Sequence, residues 1–390
     1  MQQAADAARV PAPQPGALAA AAALALLLVA ASVPQGGRMV ALAALGVLMG
    51  LTLYHAAFGF ASAFRALIER RSTRGVRAQL LMLAAATLLF APALAGGSLF
   101  GRELVGAIAP AGFQVAAGAL LFGIGMQLAG GCGSGTLYTV GGGSARMLLV
   151  LAAFCAGGFW ASLHMDAWAQ LPAPEAIALG ETYGWTAAVV LQLAVLGALW
   201  ALLKRPRWAD ADRPLPAHAD LARFVKGPWP LAAGALALAL LNFATLALAG
   251  HPWSITWAFT LWGAKAARLL GWSPEGDAFW SADFQRAALD SSVFADVTSV
   301  MDFGIVLGAF AAAGLAGRFR PRGALSAGAA AAALIGGLAM GYGARIGFGC
   351  NIGAFFSGVA STSLHGWLWI ALALPGSWVG LKARPLFGLH

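Results

Sequence analysis

Gly-Gly-Leu-Ala-Met-Gly-Tyr-Gly-Ala-Arg-Ile-Gly-Phe-Gly-Cys-Asn-Ile-Gly, residues 336–353, is an apolar run broken by glycines around one thiol, Cys350. Residues 118–135 repeat the design around Cys132. Laid over 336–353 without gaps, they give seven identities in eighteen positions: Gly118/Gly336, Leu120/Leu338, Gly123/Gly341, Gly125/Gly343, Gly131/Gly349, Cys132/Cys350 and Gly135/Gly353. Glycines on both sides of a cysteine break a helix and expose backbone N–H groups. A half-helix following from Thr136 or Ala354 would then aim its positive end at the break. Gly131, Gly133, Ser134 and Gly135 around Cys132, and Gly349, Asn351 and Gly353 around Cys350, are therefore candidates to line a solute path. The bland alternative is that the glycines serve close helix packing and the cysteines are small buried hydrophobes. Recurrence with the same flanks favours the path.

Composition fixes the solvent around these motifs. Of 390 residues, 60% are hydrophobic and only 10% charged, against roughly 25% charged in soluble domains. Apolar segments are expected at 17–33, 39–63, 79–96, 106–129, 147–163 and 185–203, then at 231–249, 299–317, 324–343 and 365–381. Several approach the ~20 residues of a spanning helix. The fold class is an all-α polytopic membrane protein whose irregular backbone must be enclosed by protein or water. The first apolar run, Ala17–Val33, has weak signal-peptide features and is expected to be a retained helix. Three cysteines make no disulfide framework.

The net charge of +9 is a topology signal. Five arginines crowd into Arg65–Arg77, six Lys/Arg lie in Lys204–Lys226, three arginines in Arg318–Arg322, and Lys382 and Arg384 follow the last apolar run. His164–Gly184 holds Asp166, Glu175 and Glu181 without a base, and His251–Val297 has five acids against three bases. Positive-inside reasoning puts the basic segments and the C-terminus in the cytoplasm. The bases orient the chain and meet anionic lipid; nucleic acid is not an expected partner.

The polar, proline-bearing stretch 204–230 divides the chain into an N-terminal half (1–203) and a C-terminal half (231–390), each with one cysteine motif. Ser254–Trp272, aromatic and interrupted by Lys265 and Arg268, reads as an interfacial helix. One candidate span separates Arg322 from the second motif and two separate Arg77 from the first, which points to an inverted repeat.

Ionisable groups at membrane depth are functional by default because burying them is costly. Arg345, five residues before Cys350, is expected either to counter an anion's charge or to pair with Asp302. Gln127 occupies its place in the first copy. His365 and His55 are expected at interfaces, and Cys155, which has no repeat partner, in packing.

The pieces 336–345 and 347–358, with Ser-Leu-His-Gly-Trp (363–367), closely resemble the YeeE/YedE family of bacterial thiosulfate transporters. Gly-Gly-Cys-Gly-Ser-Gly-Thr-Leu-Tyr (130–138) and Asp-Phe-Gly-Ile-Val-Leu-Gly-Ala-Phe (302–310) fit the same pattern. The resemblance implies an hourglass-shaped inner-membrane protein that imports thiosulfate and hands it between central cysteines through transient S–H···S contacts. Cys132 and Cys350 match those cysteines. The family often carries a further cysteine where this chain has Gly59, so one relay station is absent.

No nucleophile–base pair, nucleotide loop or metal-ligand cluster is visible, so no enzyme activity, cofactor or metal is expected. The reading is an uptake transporter for thiosulfate or a similar sulfur anion, passive or ion-coupled. Alternatives left open are a membrane sulfurtransferase forming a persulfide on Cys350 and a carrier of another sulfur or selenium anion. Docking of a soluble cytoplasmic sulfurtransferase is also open.

Overall fold

A computed structural model describes residues 11–204, 221–321, 323 and 325–389. The middle of the expected connector, residues 205–220, and Arg322 lie outside these. The described chain is almost wholly helical, with one short ribbon pairing Ser98–Leu99 with Arg102–Glu103. In chain order the helices used below are α1 (Pro15–Ser32), α2 (Gly37–His55), α3 (Phe60–Arg70), α4 (Arg74–Ala95), α5 (Phe113–Ala129) and α6 (Gly133–Gly141). Next come α7 (Ala145–Ser162), α8 (Trp185–Leu203), α9 (Leu231–Ala249), α10 (Thr256–Leu269) and α11 (Asp283–Asp290). The last four are α12 (Val297–Leu315), α13 (Ala327–Ile346), α14 (Ser357–Ala360), entered through a π-turn at Asn351–Phe356, and α15 (Leu364–Ala383).

Among the described residues, ten segments are long and apolar enough to cross a membrane. The chain is a multi-pass membrane protein. Its outer helices turn large apolar side chains outward, with Leu26 70% and Val190 62% exposed, as lipid contact requires. Polar groups go inside: Asn242, Gln192, Ser357 and Thr136 are fully or nearly fully buried.

Four long helices each end in a break followed by a half-helix: α2 into α3, α5 into α6, α9 into α10, and α13 into the π-turn and α14. The breaks have local causes. Gly130 and Gly250 close α5 and α9 in the left-handed region, at φ +85° and +84°, where glycine carries no steric penalty. Ala57 takes φ +46° after α2.

Two expectations change here. The run 39–63 is interrupted at 56–59 rather than continuous. The segment read as interfacial, Ser254–Trp272, instead supplies α10, whose Phe259, Leu261 and Ala264 are fully buried where it packs on α7. Trp257 and Trp262 donate to Asp296 and Ser299, and Lys265 donates to the carbonyls of Leu289 and Ser291.

The halves pack as a pseudo-twofold pair. α7 lies on α13 and α5 on α15; α2 lies on α12 and α9 on α4, and exchanging the halves maps each contact onto its partner. The self-paired crossing is α5 against α13. A methyl on Gly118 would stand 2.6 Å from Gly343 O, and one on Gly125 would stand 2.7 Å from Gly336 O. The residue numbers run in opposite directions, so these equivalent helices are antiparallel and the axis relating them is perpendicular to both. The motif-bearing helices thus carry an inverted relation.

Candidate functional site

The first motif places Cys132 at the N-cap of α6 in extended backbone. Its Sγ lies 3.5 Å from Ser134 Oγ, and a methyl on Gly135 would stand 3.5 Å from the same sulfur. The first intrahelical bond runs from Thr136 N to Cys132 O. The N–H groups of Gly133, Ser134 and Gly135 precede it and, as first-turn amides, have no partner within the helix.

The second motif caps the π-turn with Cys350, whose Sγ accepts from Ile352 N at 3.4 Å. Two left-handed residues deliver the chain to that point, Phe348 at φ +58° and Gly349 at φ +141°. Gly349 needs its hydrogen twice over: a methyl there would also stand 2.7 Å from Ala354 N. Asn351 is fully buried with neither amide atom hydrogen-bonded, and Thr136 Oγ1 is likewise unpartnered. Buried polar groups normally find partners. Asn351 directly follows Cys350, and Thr136 lies one helical turn after Cys132.

The motifs meet. A methyl on Gly133 would lie 3.3 Å from Cys350 Sγ, so the second sulfur rests on the residue following the first cysteine. The start of α10 closes the same point, with Ile255 and Thr256 side chains 3.5 and 3.8 Å from that Gly133 position. Both cysteines are almost completely buried.

A cavity lies at each of the other two helix breaks. One, of about 230 Å³, is lined by Phe58, Gly59, Ser62, Arg70, Arg74 and Gln79. It sits at the α2/α3 break, where Gly59 faces Tyr138 Oη, 3.3 Å from where a methyl would be. The other, of about 480 Å³, is lined by His251, Ser254, Trp257, Ser291, Asp296 and Thr298. Its Ser254 Oγ lies 3.4 Å from a methyl placed on Gly353. α2 and α12 run parallel, Gly46 against Met301 and Gly50 against Ile305. The end of α2 and the start of α12 therefore lie at opposite ends of the molecule, and so do the two cavities. Gly59 thus meets Tyr138 at one cavity, Gly353 meets Ser254 at the other, and Gly133 meets Cys350 between the motifs. One mouth carries Arg70 and Arg74, the other Asp296.

Other expected residues fall elsewhere. Arg345 is half-buried, with its guanidinium 5.0 Å from the Phe279 ring centroid and its Nε without a hydrogen-bond partner. It forms no pair with Asp302, whose carboxylate oxygens have no hydrogen-bond partner. Gln127, its counterpart, donates to Ala61 O on α3. His365 is not interfacial: it is 1% exposed, with Nδ1 2.8 Å from Ser363 Oγ. His55 is also buried, against Trp229 and Gly227. Cys155 is half-buried on α7, where its carbonyl meets Gly263 of α10. Sequence reasoning missed Tyr138, Ser254 and Asn242. Asn242 Oδ1 accepts from Trp253 N at 2.8 Å and its amide reaches Ser357 Oγ at 3.2 Å, tying the α9 break to α14. A lone amide in the apolar run 231–249 was the available signal.

A family model described as sulphur transport matches residues 55–379. The chain is 33% identical over 165 residues to the probable transporter YedE of Escherichia coli K12, covering 42% of this chain and 39% of that one. The YedE of Salmonella typhimurium is 31% identical over 154 residues, 37% of its length. The chain thus spans about two-fifths of the length of these two curated relatives. The thiosulfate transporter TsuA of Spirochaeta thermophila is 29% identical over 353 residues, covering 85% of this chain and 95% of that protein.

Proposed function

Because the chain belongs to the YeeE/YedE sulphur-transport family, we propose that it carries thiosulfate, or a close sulfur anion, inward through the waist between Cys132 and Cys350. The observation that carries this reading is the contact of Cys350 Sγ with Gly133, which joins two duplicated thiol motifs at one point between two opposed cavities. The family and a relative named for thiosulfate support the cargo. The waist supports the chemistry: thiols, first-turn amides, Thr136 and Asn351 offer donors to a desolvated oxyanion.

Thiols act here as weak, exchangeable hydrogen-bond partners that pass the anion from one sulfur to the next. The glycines Gly131, Gly133, Gly135, Gly349 and Gly353 let backbone approach the solute, Ser134 holds Cys132, and Arg345 adds positive charge. By the positive-inside rule, the Arg70/Arg74 mouth and the C-terminus face the cytoplasm of a bacterial inner membrane. An incoming dianion then passes from an acidic mouth to a basic one. Against a potential of ~100 mV its two charges oppose uptake by about 4.6 kcal/mol, twice the ~2.3 kcal/mol of one charge. A purely passive path would leave the anion more dilute inside.

The test is radiolabelled thiosulfate uptake, and growth on thiosulfate as sole sulfur source, in a bacterium lacking its own uptake system. Restoration by the wild type and loss in Cys350→Ala support the reading; no uptake at normal membrane abundance overturns it. Mass spectrometry after thiosulfate exposure separates relay from covalent chemistry, since a stable persulfide on Cys350 would make the chain a sulfurtransferase.

A further inference from the structure

Asp302 lies in the second turn of α12, completely buried, with neither carboxylate oxygen hydrogen-bonded. Its helix does not need it: the N-cap is Asp296, which accepts from Ser299 N and Oγ and from Trp257 Nε1. Nor does shape require an acid. In the other half α4 has its N-cap at Thr73, and six residues on stands Gln79, also buried, where α12 has Asp302 six residues after Asp296.

The position lies one helical turn below the acidic mouth. Thr298 lines the acidic mouth, and Asp302, four residues later, lies beneath it on the same helix face. The surroundings are nearly free of competing charge. α1 and the facing part of α2, Ala43–Val47, carry no ionisable side chain, and α6 brings only Tyr138. Lys265 and Arg268 of α10 are bonded to Leu289 O, Ser291 O and Asp290. Arg223 and Lys226 lie on the short helix Leu221–Lys226, beside Gly227 and His55 at the far end of α2. Among the described residues, Asp296 and the thiols of Cys350 and Cys155 interact electrostatically with Asp302.

We propose that Asp302 is the proton-coupling carboxyl of the transporter. It takes a proton from water in the outer mouth as the anion moves to Cys350, and its O–H bond breaks to return that proton to water on the inner side. At least one positive charge then accompanies each dianion, and no redox partner is needed. This rests on the anion-transport reading above. A proton fits better than sodium. Asp302 sits in uninterrupted helix whose carbonyls are engaged, and among the described residues no cluster of acids, histidines or cysteines forms a metal cage.

The experiment uses the purified full chain in proteoliposomes, with labelled thiosulfate outside and a pH-sensitive dye inside. With acidic medium outside, the wild type should accumulate thiosulfate, acidify the lumen with it, and lose both to a protonophore. Asp302→Asn should lose accumulation at least tenfold and lose its pH dependence, yet still exchange internal for external thiosulfate. Asp302→Glu should regain coupling, which a merely structural acid would not do. Thiosulfate carried without proton movement, or driven by sodium alone, overturns the proposal and leaves transport standing. Protonophore-sensitive accumulation in Asp302→Asn at the wild-type level overturns it too. Failure of the folded wild type to carry thiosulfate, sulfite or sulfate would overturn the transport reading with it.

Discussion

The two cysteine motifs share a scaffold and hold their sulfurs differently. In the first, a regular half-helix follows Cys132 and the thiol's recorded contact is a rotatable hydroxyl, Ser134. In the second, a π-turn follows Cys350, the sulfur accepts a backbone N–H, and Gly349 sits in a conformation that side chains rarely adopt. A hydroxyl can turn away as a solute arrives, whereas an amide in a strained turn cannot. The duplication therefore produced one thiol with an adjustable contact and one with a fixed contact. π-Turns interrupting helices often mark functional sites.

Removing either station should have the largest effect. Cys132→Ala and Cys350→Ala are each expected to cut thiosulfate uptake at least tenfold at equal membrane abundance. Retention of uptake in either would break the paired-station account.

The next contrast is in the glycines. Gly349→Ala should destabilise the fold by about 1–3 kcal/mol from the disfavoured backbone alone, and more from the approach to Ala354 N. Gly131→Ala adds a methyl whose nearest neighbours are 3.5 Å away, and should leave thermal stability in detergent almost unchanged. Equal melting temperatures for the two variants would erase the distinction between fixed and adjustable motif.

Smaller effects are expected at Gly59. A methyl there meets only side-chain tips, Ser62 Oγ at 2.7 Å and Tyr138 Oη at 3.3 Å, so Gly59→Ala should fold normally. Gly59→Cys places a thiol at the basic mouth and should raise uptake at low thiosulfate by about two- to tenfold, the weight of one weak hydrogen bond of about 0.5–1.5 kcal/mol. Equal loss in both variants would mean that position 59 serves packing. Cys155→Ala, off the waist, should change initial uptake least, by less than twofold.

The motif duplication was legible because it is marked by seven shared residues, and the spans because hydropathy needs only composition. The other two breaks were not. Ala57, Phe58 and Gly59 are as apolar as a spanning run, so nothing in hydropathy interrupts 39–63. α10 misled for a chemical reason: tryptophan beside lysine and arginine is also the composition of a membrane interface. In the fold Trp257 and Trp262 donate to Asp296 and Ser299, and Lys265 holds two loop carbonyls. The Arg345–Asp302 pair failed because sequence does not fix the face a helical residue occupies. Arg345 turns to Phe279, while Asp302 lies under Thr298.

The crossing of α5 and α13 constrains the mechanics of the cycle. Glycine meets backbone at both ends of that crossing, at Gly118 against Gly343 and at Gly125 against Gly336, so the two helices touch backbone to backbone there. Two cylinders in such contact resist rolling and sliding, which bring carbonyls against Cα atoms. Rocking one half over the other, common among transporters with inverted repeats, would have to pivot through this seam. The barrier to passage is therefore expected in small, fast rearrangements of the thiols, Ser134 and the half-helix tips. Turnover should accordingly depend weakly on lipid viscosity, and a cross-link fixing α5 to α13 should leave the path working.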